Sequence, residues 1–384
     1  MSSTQIRIIL SAHYFLYFGI LGIYLPYFNL YCYHLDFSGF QIGVLSALRT
    51  FSTALFPLVW GVLADRYNIR RPIFITSILF GTVVWSLYLL TTDFTLMLII
   101  TAIYGIFYAP IISFLESFSM DLLDTRKSDY GHLRVWGSLS FILVVVLVGQ
   151  LIDLYSAAII LVLILGGSAL QSALSFAVPR VSPQPYEKSF SASLKMFFNR
   201  RALTFLFCAF LMLVSHGTYY GFFSIHLEQL GYGGIFIGFA WALASIAEIS
   251  IMVGSARIFS RFAFENVLIF SFFVAALRWI ILAGAESTGL ILFTQLFHAF
   301  SYGSFHIASI LYIDKLAPSG AKTLGQAVNN AATYGLGIMM GFFVSGLLFE
   351  KIGAPNLFFI CGALALTGGI LLFLEKATRP GETA

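Results

Sequence analysis

Apolar stretches separated by short polar breaks run along this chain from one end to the other. Twelve of them can be read, at 7 to 33, 39 to 64, 72 to 91, 95 to 120, 132 to 153, 156 to 178, 202 to 227, 233 to 259, 264 to 284, 288 to 313, 321 to 349 and 355 to 375. Each reaches the length of about 20 residues that a helix needs to cross a bilayer core. The longest polar connection, 179 to 201, carries Pro179, Pro183 and Pro185 among charged residues. It divides the pattern into two sets of six, so the expected architecture is an all-α membrane protein with two six-helix bundles, 1–178 and 202–384, joined by a cytoplasmic linker. The first run begins close to the N-terminus, but it is longer than a signal-peptide core and lacks a small-residue cleavage site, so it is read as a retained helix.

Composition agrees with the pattern. Of 384 residues 59% are hydrophobic and 10% charged, and the mean hydropathy is +0.91, against roughly 25% charged in an ordinary soluble domain. No aqueous fold hides that much apolar surface. The net charge of +4 reflects orientation, not a nucleic-acid partner. If the N-terminus is cytoplasmic, 18 of the 21 Lys and Arg residues fall at cytoplasmic segments or helix ends, Lys351 alone lies outside, and Arg49 and Arg278 sit inside spans. That asymmetry places both termini in the cytoplasm by the positive-inside rule. Cys32, Cys208 and Cys361 lie in apolar segments without paired spacing, so neither a disulfide framework nor a metal cluster is indicated, and no cofactor is expected.

The halves carry a faint repeat. A shift of 195 positions superposes Gly22 on Gly217, Tyr24 on Tyr219, Leu35 on Leu230, Gly43 on Gly238, Ala47 on Ala242, Leu48 on Leu243 and Arg66 on Arg261. The matches are sparse but collinear, as old parallel repeats leave them.

Two strings carry a resemblance. After the second span comes GVLADRYNIRR, Gly61 to Arg71, which fits the cytoplasmic loop signature of the major facilitator superfamily; GSARIFSRF after the eighth span is its degraded, acid-free counterpart. Gly61 is expected to permit close helix approach. Asp65 is expected to pair with basic residues at a cytoplasmic helix end, making Asp65 and Arg66 candidates for a conformational gate. DYGHLRVWGSLSF, from Asp129 to Phe141, resembles the motif of the lactose permease, nucleoside symporter and phenylpropionate permease branch. HGTYYGF at 216 to 222, Ala247 with Glu248, LRW at 277 to 279, QLFH at 295 to 298 and FHIAS at 305 to 309 look most like the 3-phenylpropionate permease group. The resemblance implies a proton-coupled importer of a small organic solute.

Five polar residues fall near the bilayer midplane: Arg49, His216, Glu248, Arg278 and His298. Charged groups there cost roughly 2.5–3.5 kcal/mol on an insertion scale, so they are expected to face a polar cavity or one another. Glu248 with Arg278 reads either as a fixed ion pair or as a proton switch in which Glu248 carries the coupled proton; His298 joins it through the resemblance. The branch's further carboxylate, one turn past the histidine, is absent here, where Ser301 stands. Arg49 is the candidate ligand of a substrate carboxylate, its planar fork matching two oxygens; the alternative is a structural bond to helix carbonyls.

His216, Tyr219, Tyr220, Phe223 and His226 share one helical face, and His298, Tyr302 and His306 repeat the spacing. The substrate-binding candidates are thus Arg49, His216, Tyr219, Tyr220, Arg278, His298 and Tyr302. Glu116 and Arg134 are expected to meet near the cytoplasm as a further gate, whereas the lactose permease resemblance makes them substrate ligands. Pro26 and Pro110 offer kinks. The reading is a secondary transporter, probed below as an importer of an organic, aromatic carboxylate with protons, monomeric and in the bacterial inner membrane. Nucleoside, sugar or peptide-fragment symport, efflux antiport and a non-transporting sensor are its rivals. No hydrolase, zincin or phosphate-loop pattern points to an enzyme.

The orientation is checked by fusions at the C-terminus. A fluorescent protein that matures only in the cytoplasm should be bright there and alkaline phosphatase inactive; the opposite pair of signals would invert the topology.

Overall fold

The computed structural model describes residues 3–123, 130–179, 199–317 and 322–378. The linker expected at 179–201 lies almost wholly outside the described residues, as do Arg126, Lys127, Asp129, Arg180, Lys188, Lys195 and Arg379. Helices account for nearly everything described, and no strand occurs among the described residues. Lipid explains this: without water, backbone N–H and C=O groups must be satisfied within each segment.

Eight of the expected spans correspond to single helices: α1 (Ser3–His34), α2 (Gly39–Tyr67), α3 (Arg70–Ser86, prolonged by a tighter turn at Leu87–Leu90), α6 (Tyr130–Leu154), α7 (Ile159–Ser175), α8 (Arg200–Gln229), α9 (Gly234–Phe259) and α10 (Phe264–Ala283). The span at 95 to 120 is divided at Pro110 into α4 (Phe94–Tyr108) and α5 (Pro110–Leu123), whereas Pro26 lies within an unbroken α1. The span at 288 to 313 is α11 (Thr288–Leu296), a π-helical turn (Ala299–Ser304) and α12 (Phe305–Leu316). A second π-helical stretch, Ala331–Gly337, separates α13 (Lys322–Asn330) from α14 (Ile338–Ala377).

The count of twelve is not reproduced directly. Among the described residues nine stretches are long and apolar enough to cross a membrane, and Ile159–Ser175 is apolar but shorter. One of the nine, Leu324–Ala377, has 54 residues, more than two crossings require. It breaks at Gly353, whose φ of 75° is a conformation that glycine adopts freely, two residues before Pro355.

Contacts group the chain into two compact units. The first comprises Met1–Phe37, Leu48–Glu187 and Leu227–Ala242; the second comprises Ser38–Ala47, Lys188–His226 and Leu243–Ala384. In the first unit α1 packs on α6 and α7, and α3 on α7 and α4; in the second, α10 packs on α14.

Glycines set the closest approaches, and the glycines superposed by the 195-residue shift do so in matched ways. In the first unit a Cβ on Gly22 would meet the Phe141 carbonyl at 3.1 Å, and one on Gly238 the Val145 carbonyl at 2.5 Å, both on α6. In the second, a Cβ on Gly217 would overlap the Gly341 backbone, and one on Gly43 would meet the Phe342 carbonyl at 2.7 Å, both on α14. Such small-residue contacts let helices pack where lipid supplies no hydrophobic drive. The crossings made by Gly238 and Gly43 also end in a carboxylate at a helix start. Asp153 accepts from the N–H groups of Gly234 and Ile235 (2.6 and 2.9 Å) in the first unit, and Glu350 from Gly39 N–H (3.1 Å) in the second. Both satisfy orphan donors at the positive end of a helix. Tyr27 adds a hydroxyl bond to the Val145 carbonyl at 2.7 Å.

Gly61 departs from expectation. Among the described residues nothing lies within 4 Å of a Cβ built there, so none of them makes a close helix approach at this glycine. Gly217→Ala should therefore lower stability by about 1–3 kcal/mol through overpacking, while Gly61→Ala should be neutral or stabilise by up to about 1 kcal/mol. Thermal unfolding of the two purified variants in one detergent checks the contrast.

Candidate functional site

The second unit holds a buried polar cluster built from α8, α9, α10 and the segment from α11 to α12. Its centre is Arg278, fully buried. The guanidinium donates to the Thr294 carbonyl (3.0 Å), Gln295 Oε1 (3.2 Å), His298 Nδ1 (2.9 Å) and Ser301 Oγ (3.4 Å). Every one of these partners is neutral or can be so. Gln295 is itself fixed, since its amide donates to the Ile291 carbonyl (3.1 Å) and Thr294 Oγ1 (2.9 Å) while its oxygen also accepts from Tyr219 (2.9 Å). The rings of Tyr219 and Trp279 lie 4.4 and 4.5 Å from the guanidinium carbon, where a cation gains from the ring quadrupole.

This arrangement corrects the expected partner of Glu248. Arg278 is held by α11 and His298, not by the carboxylate, and Glu248 Oε2 stands 3.7 Å from His298 Nε2. Because a guanidinium can only donate, the nitrogen facing Arg278 must be the acceptor. A neutral His298 then carries its proton on Nε2, the side toward Glu248. The histidine is interposed between the cation and the acid. Ser301, where the branch carries a carboxylate, is one of the ligands of Arg278.

His216 donates from Nδ1 to the Met212 carbonyl at 2.8 Å, so its Nε2 is the acceptor; that atom is buried and has no hydrogen-bond partner. Around it the rings of Tyr302 and His298 lie at 5.6 and 6.3 Å, and Tyr220 packs on Tyr302 at 6.0 Å. Tyr219, Tyr220 and His216 thus converge as the helical spacing predicts. Phe223 packs on Tyr219 (4.8 Å), but His226 turns to Phe358 (5.7 Å) and does not join them.

His298, Tyr302 and His306 form a ladder. Their rings stack at 5.0 and 6.1 Å with planes 5° and 3° from parallel. An α-helix drifts by about 40° every four residues, and the wider π turn at Ala299–Ser304 offsets part of that drift. His306 Nδ1 closes the ladder on Tyr334 OH at 2.6 Å, the latter on the second π stretch.

In the first unit Arg49 of α2 lies in an aromatic box. Its guanidinium carbon is 3.7 Å from the Tyr24 ring and 5.4 Å from that of Tyr108, with Tyr108 stacked on Tyr17 and Tyr104. Arg49 Nε is buried without a hydrogen-bond partner among the described residues. Helix carbonyls, the structural alternative, do not satisfy that atom. Tyr17, Tyr24, Tyr104 and Tyr108 were not singled out as site residues from sequence; the repeat match of Tyr24 with Tyr219 was the available signal, for each packs its ring on the embedded arginine of its unit.

Near the charged loop Arg70 bridges Asp65 (2.7 Å) and Asp121 (3.2 Å), Arg66 lies over Tyr67, and Arg71 donates to the carbonyls of Val178 (2.6 Å) and Phe176 (2.7 Å) at the end of α7. Glu116 and Arg134 make no direct ion pair among the described residues: Glu116 accepts from Tyr130 OH at 3.4 Å and feels Arg134 through space, while Arg134 lies 3.8 Å from the Phe18 ring. Tyr130 is the first residue of α6 and intercepts the acid before Arg134, one turn on, reaches it.

Replacing Arg278 by Met should remove the donor to His298 Nδ1 and the side-chain donor to Thr294 O, while Gln295 Oε1 keeps Tyr219, at about 1–3 kcal/mol for each acceptor left unpaired. The thermal midpoint of the purified variant should fall well below that of wild type, with Arg278→Lys in between; an unchanged midpoint would show the network to be dispensable.

Known proteins complete the picture. The chain is 25% identical over 383 residues to a probable 3-phenylpropionic acid transporter of Escherichia coli strain K12, covering 97% of both chains. It is 26% identical over 379 residues to the maltose permease of Geobacillus stearothermophilus, covering 95% of this chain and 94% of that one. A crystal structure of the nucleoside transporter NupG superposes with a TM-score of 0.86 at 20% identity, over 97% of this chain and all of that one, and shows the fold to be shared. The MFS_1 like family model matches residues 7–360. The chain belongs to that family of major facilitator transporters and is an integral, multi-pass membrane protein of the bacterial inner membrane type.

Proposed function

We propose that this transporter imports a small aromatic carboxylate together with protons, by alternating access between bundles formed by 1–178 and 202–384. The observation that carries the reading is Arg49: a membrane-embedded cation enclosed by tyrosines, with a buried Nε that lacks an acceptor. Such a group favours an anion as its occupant, and a carboxylate matches the guanidinium fork. The surrounding rings offer offset or edge contacts to an aromatic solute. The name of the Escherichia coli relative, an aromatic acid transporter, supports the same class. Names among the other relatives include maltose and nucleosides, so the decisive assay is uptake into proteoliposomes of a panel of organic acids, sugars and nucleosides, with and without an imposed pH gradient.

The proton role is assigned to Glu248 with His298. When Glu248 is ionised, the Nε2 proton of His298 faces a carboxylate, while Arg278 holds the other ring nitrogen. Protonating Glu248 removes its formal negative charge from this cluster and leaves Arg278 supported by neutral ligands. In this reading the solute anion offsets the charge of Arg49, and the coupled proton offsets that of Glu248. His216 Nε2 supplies an acceptor for a solute hydroxyl or amide, and Asp65 with Arg66, and Glu116 with Arg134, remain proposed gates on the loop side.

Two outcomes test this. Arg49→Gln should raise the KM for the carboxylate about tenfold to a hundredfold, the range of one lost charge-assisted bond, without further impairing a neutral amide analogue; equal wild-type transport of acid and amide would remove the carboxylate role. Glu248→Gln should keep solute exchange between loaded vesicles yet lose accumulation driven by a pH gradient, whereas undiminished uphill uptake would acquit Glu248.

A further inference from the structure

A groove of about 760 Å³ runs along the outside of the first unit between α1, α6 and α7. It is separate from the Arg49 box and from the network around Arg278. Its two ends differ in chemistry. At one end are Arg7 and His132, near the starts of α1 and α6, with Trp136 one turn further along α6. Toward the other end the wall is apolar, with Phe15 and Leu16 of α1 facing Leu170 of α7. From Arg7 to Phe15 is eight residues, a rise of about 12 Å, enough to pass from headgroup level into hydrocarbon.

The charge distribution along the chain puts the Arg7 and His132 end at the cytoplasmic surface, where anionic lipids give the leaflet its negative potential. Trp136 is 48% exposed and Ile8 63% exposed, so the groove opens outward from the bundle. An indole at this depth matches the aromatic belt at membrane interfaces. Among the described residues none lining the groove is acidic, and Thr4 and Ser11 add hydroxyl donors beside Arg7. A cation, an imidazole, hydroxyls and an indole above an apolar trough form the complement of a phosphate headgroup with attached acyl chains.

We infer that this groove is a binding site for one anionic phospholipid of the cytoplasmic leaflet, its phosphate at Arg7 and His132 and an acyl chain along Phe15 and Leu170. The bound lipid fixes the cytoplasmic ends of α1 and α6 against α7. The faces of α6 then divide the work: His132 and Trp136 face the lipid groove, while Arg134 packs on Phe18 of α1.

The test uses the full-length protein in nanodiscs of phosphatidylcholine containing a fixed fraction of bromine-labelled lipid, either phosphatidylglycerol or phosphatidylcholine. Bromine quenches indole fluorescence on contact, and the difference between wild type and Trp136→Phe isolates Trp136 from the other tryptophans. Labelled phosphatidylglycerol should reach Trp136 with about fivefold preference, the effect of one basic residue at an anionic surface. Arg7→Gln should abolish that preference. If Arg7→Gln inserts poorly, His132→Glu, which sets an anion at the mouth of the groove, should abolish it as well. Equal quenching by the two labelled lipids in wild type, or a preference that survives either variant, overturns the assignment.

Discussion

In hydrocarbon a polar group has no water to fall back on, and the structure depends on how each embedded cation is satisfied. Arg278 and Arg49 meet that constraint in opposite ways. Arg278 donates to Thr294, Gln295, His298 and Ser301, and Gln295 is itself held by Ile291, Thr294 and Tyr219. Arg49 has rings instead of acceptors on its faces, and its Nε is left without one. The first arrangement is rigid and spends the cation on structure. The second leaves a donor of the cation without an acceptor among the described residues, which is why the anion site is proposed at Arg49.

Helix contact obeys the same constraint from the apolar side. Lipid chains compete equally for aliphatic side chains, so close crossings come from backbone against backbone, as at Gly217 on Gly341 and Gly43 on Phe342. Where such crossings end at a helix start, Asp153 and Glu350 take up the orphan N–H groups. Carboxylates used in this way hold segments together and are distinct from Glu248, whose neighbour is a titratable ring.

The interposed His298 changes what the polar cluster can do. A direct Glu248–Arg278 pair would bind a proton at the expense of an ion pair, with both partners then buried unpaired. With His298 between them, the acid changes its charge while Arg278 keeps all its neutral acceptors. The ladder through Tyr302 to His306 and Tyr334 extends from the same histidine, and the π turns that align it are the local irregularities often found at functional sites.

Membrane class, eight of the twelve expected spans as single helices, the family resemblance and the embedded residues Arg49, His216, Glu248, Arg278 and His298 were legible in the chain itself, because hydropathy and charge add up residue by residue. The repeat marked Tyr24 and Gly217 before their contacts were known. Partner choice was not legible. That Glu248 faces His298, that Tyr130 bonds Glu116, that Gly61 meets no close neighbour among the described residues and that His226 leaves its face all depend on the rotation of each helix and on breaks at Pro110, Ala299–Ser304 and Gly353. Rotation is settled by packing between segments far apart in the chain, and no local sum along the sequence contains it.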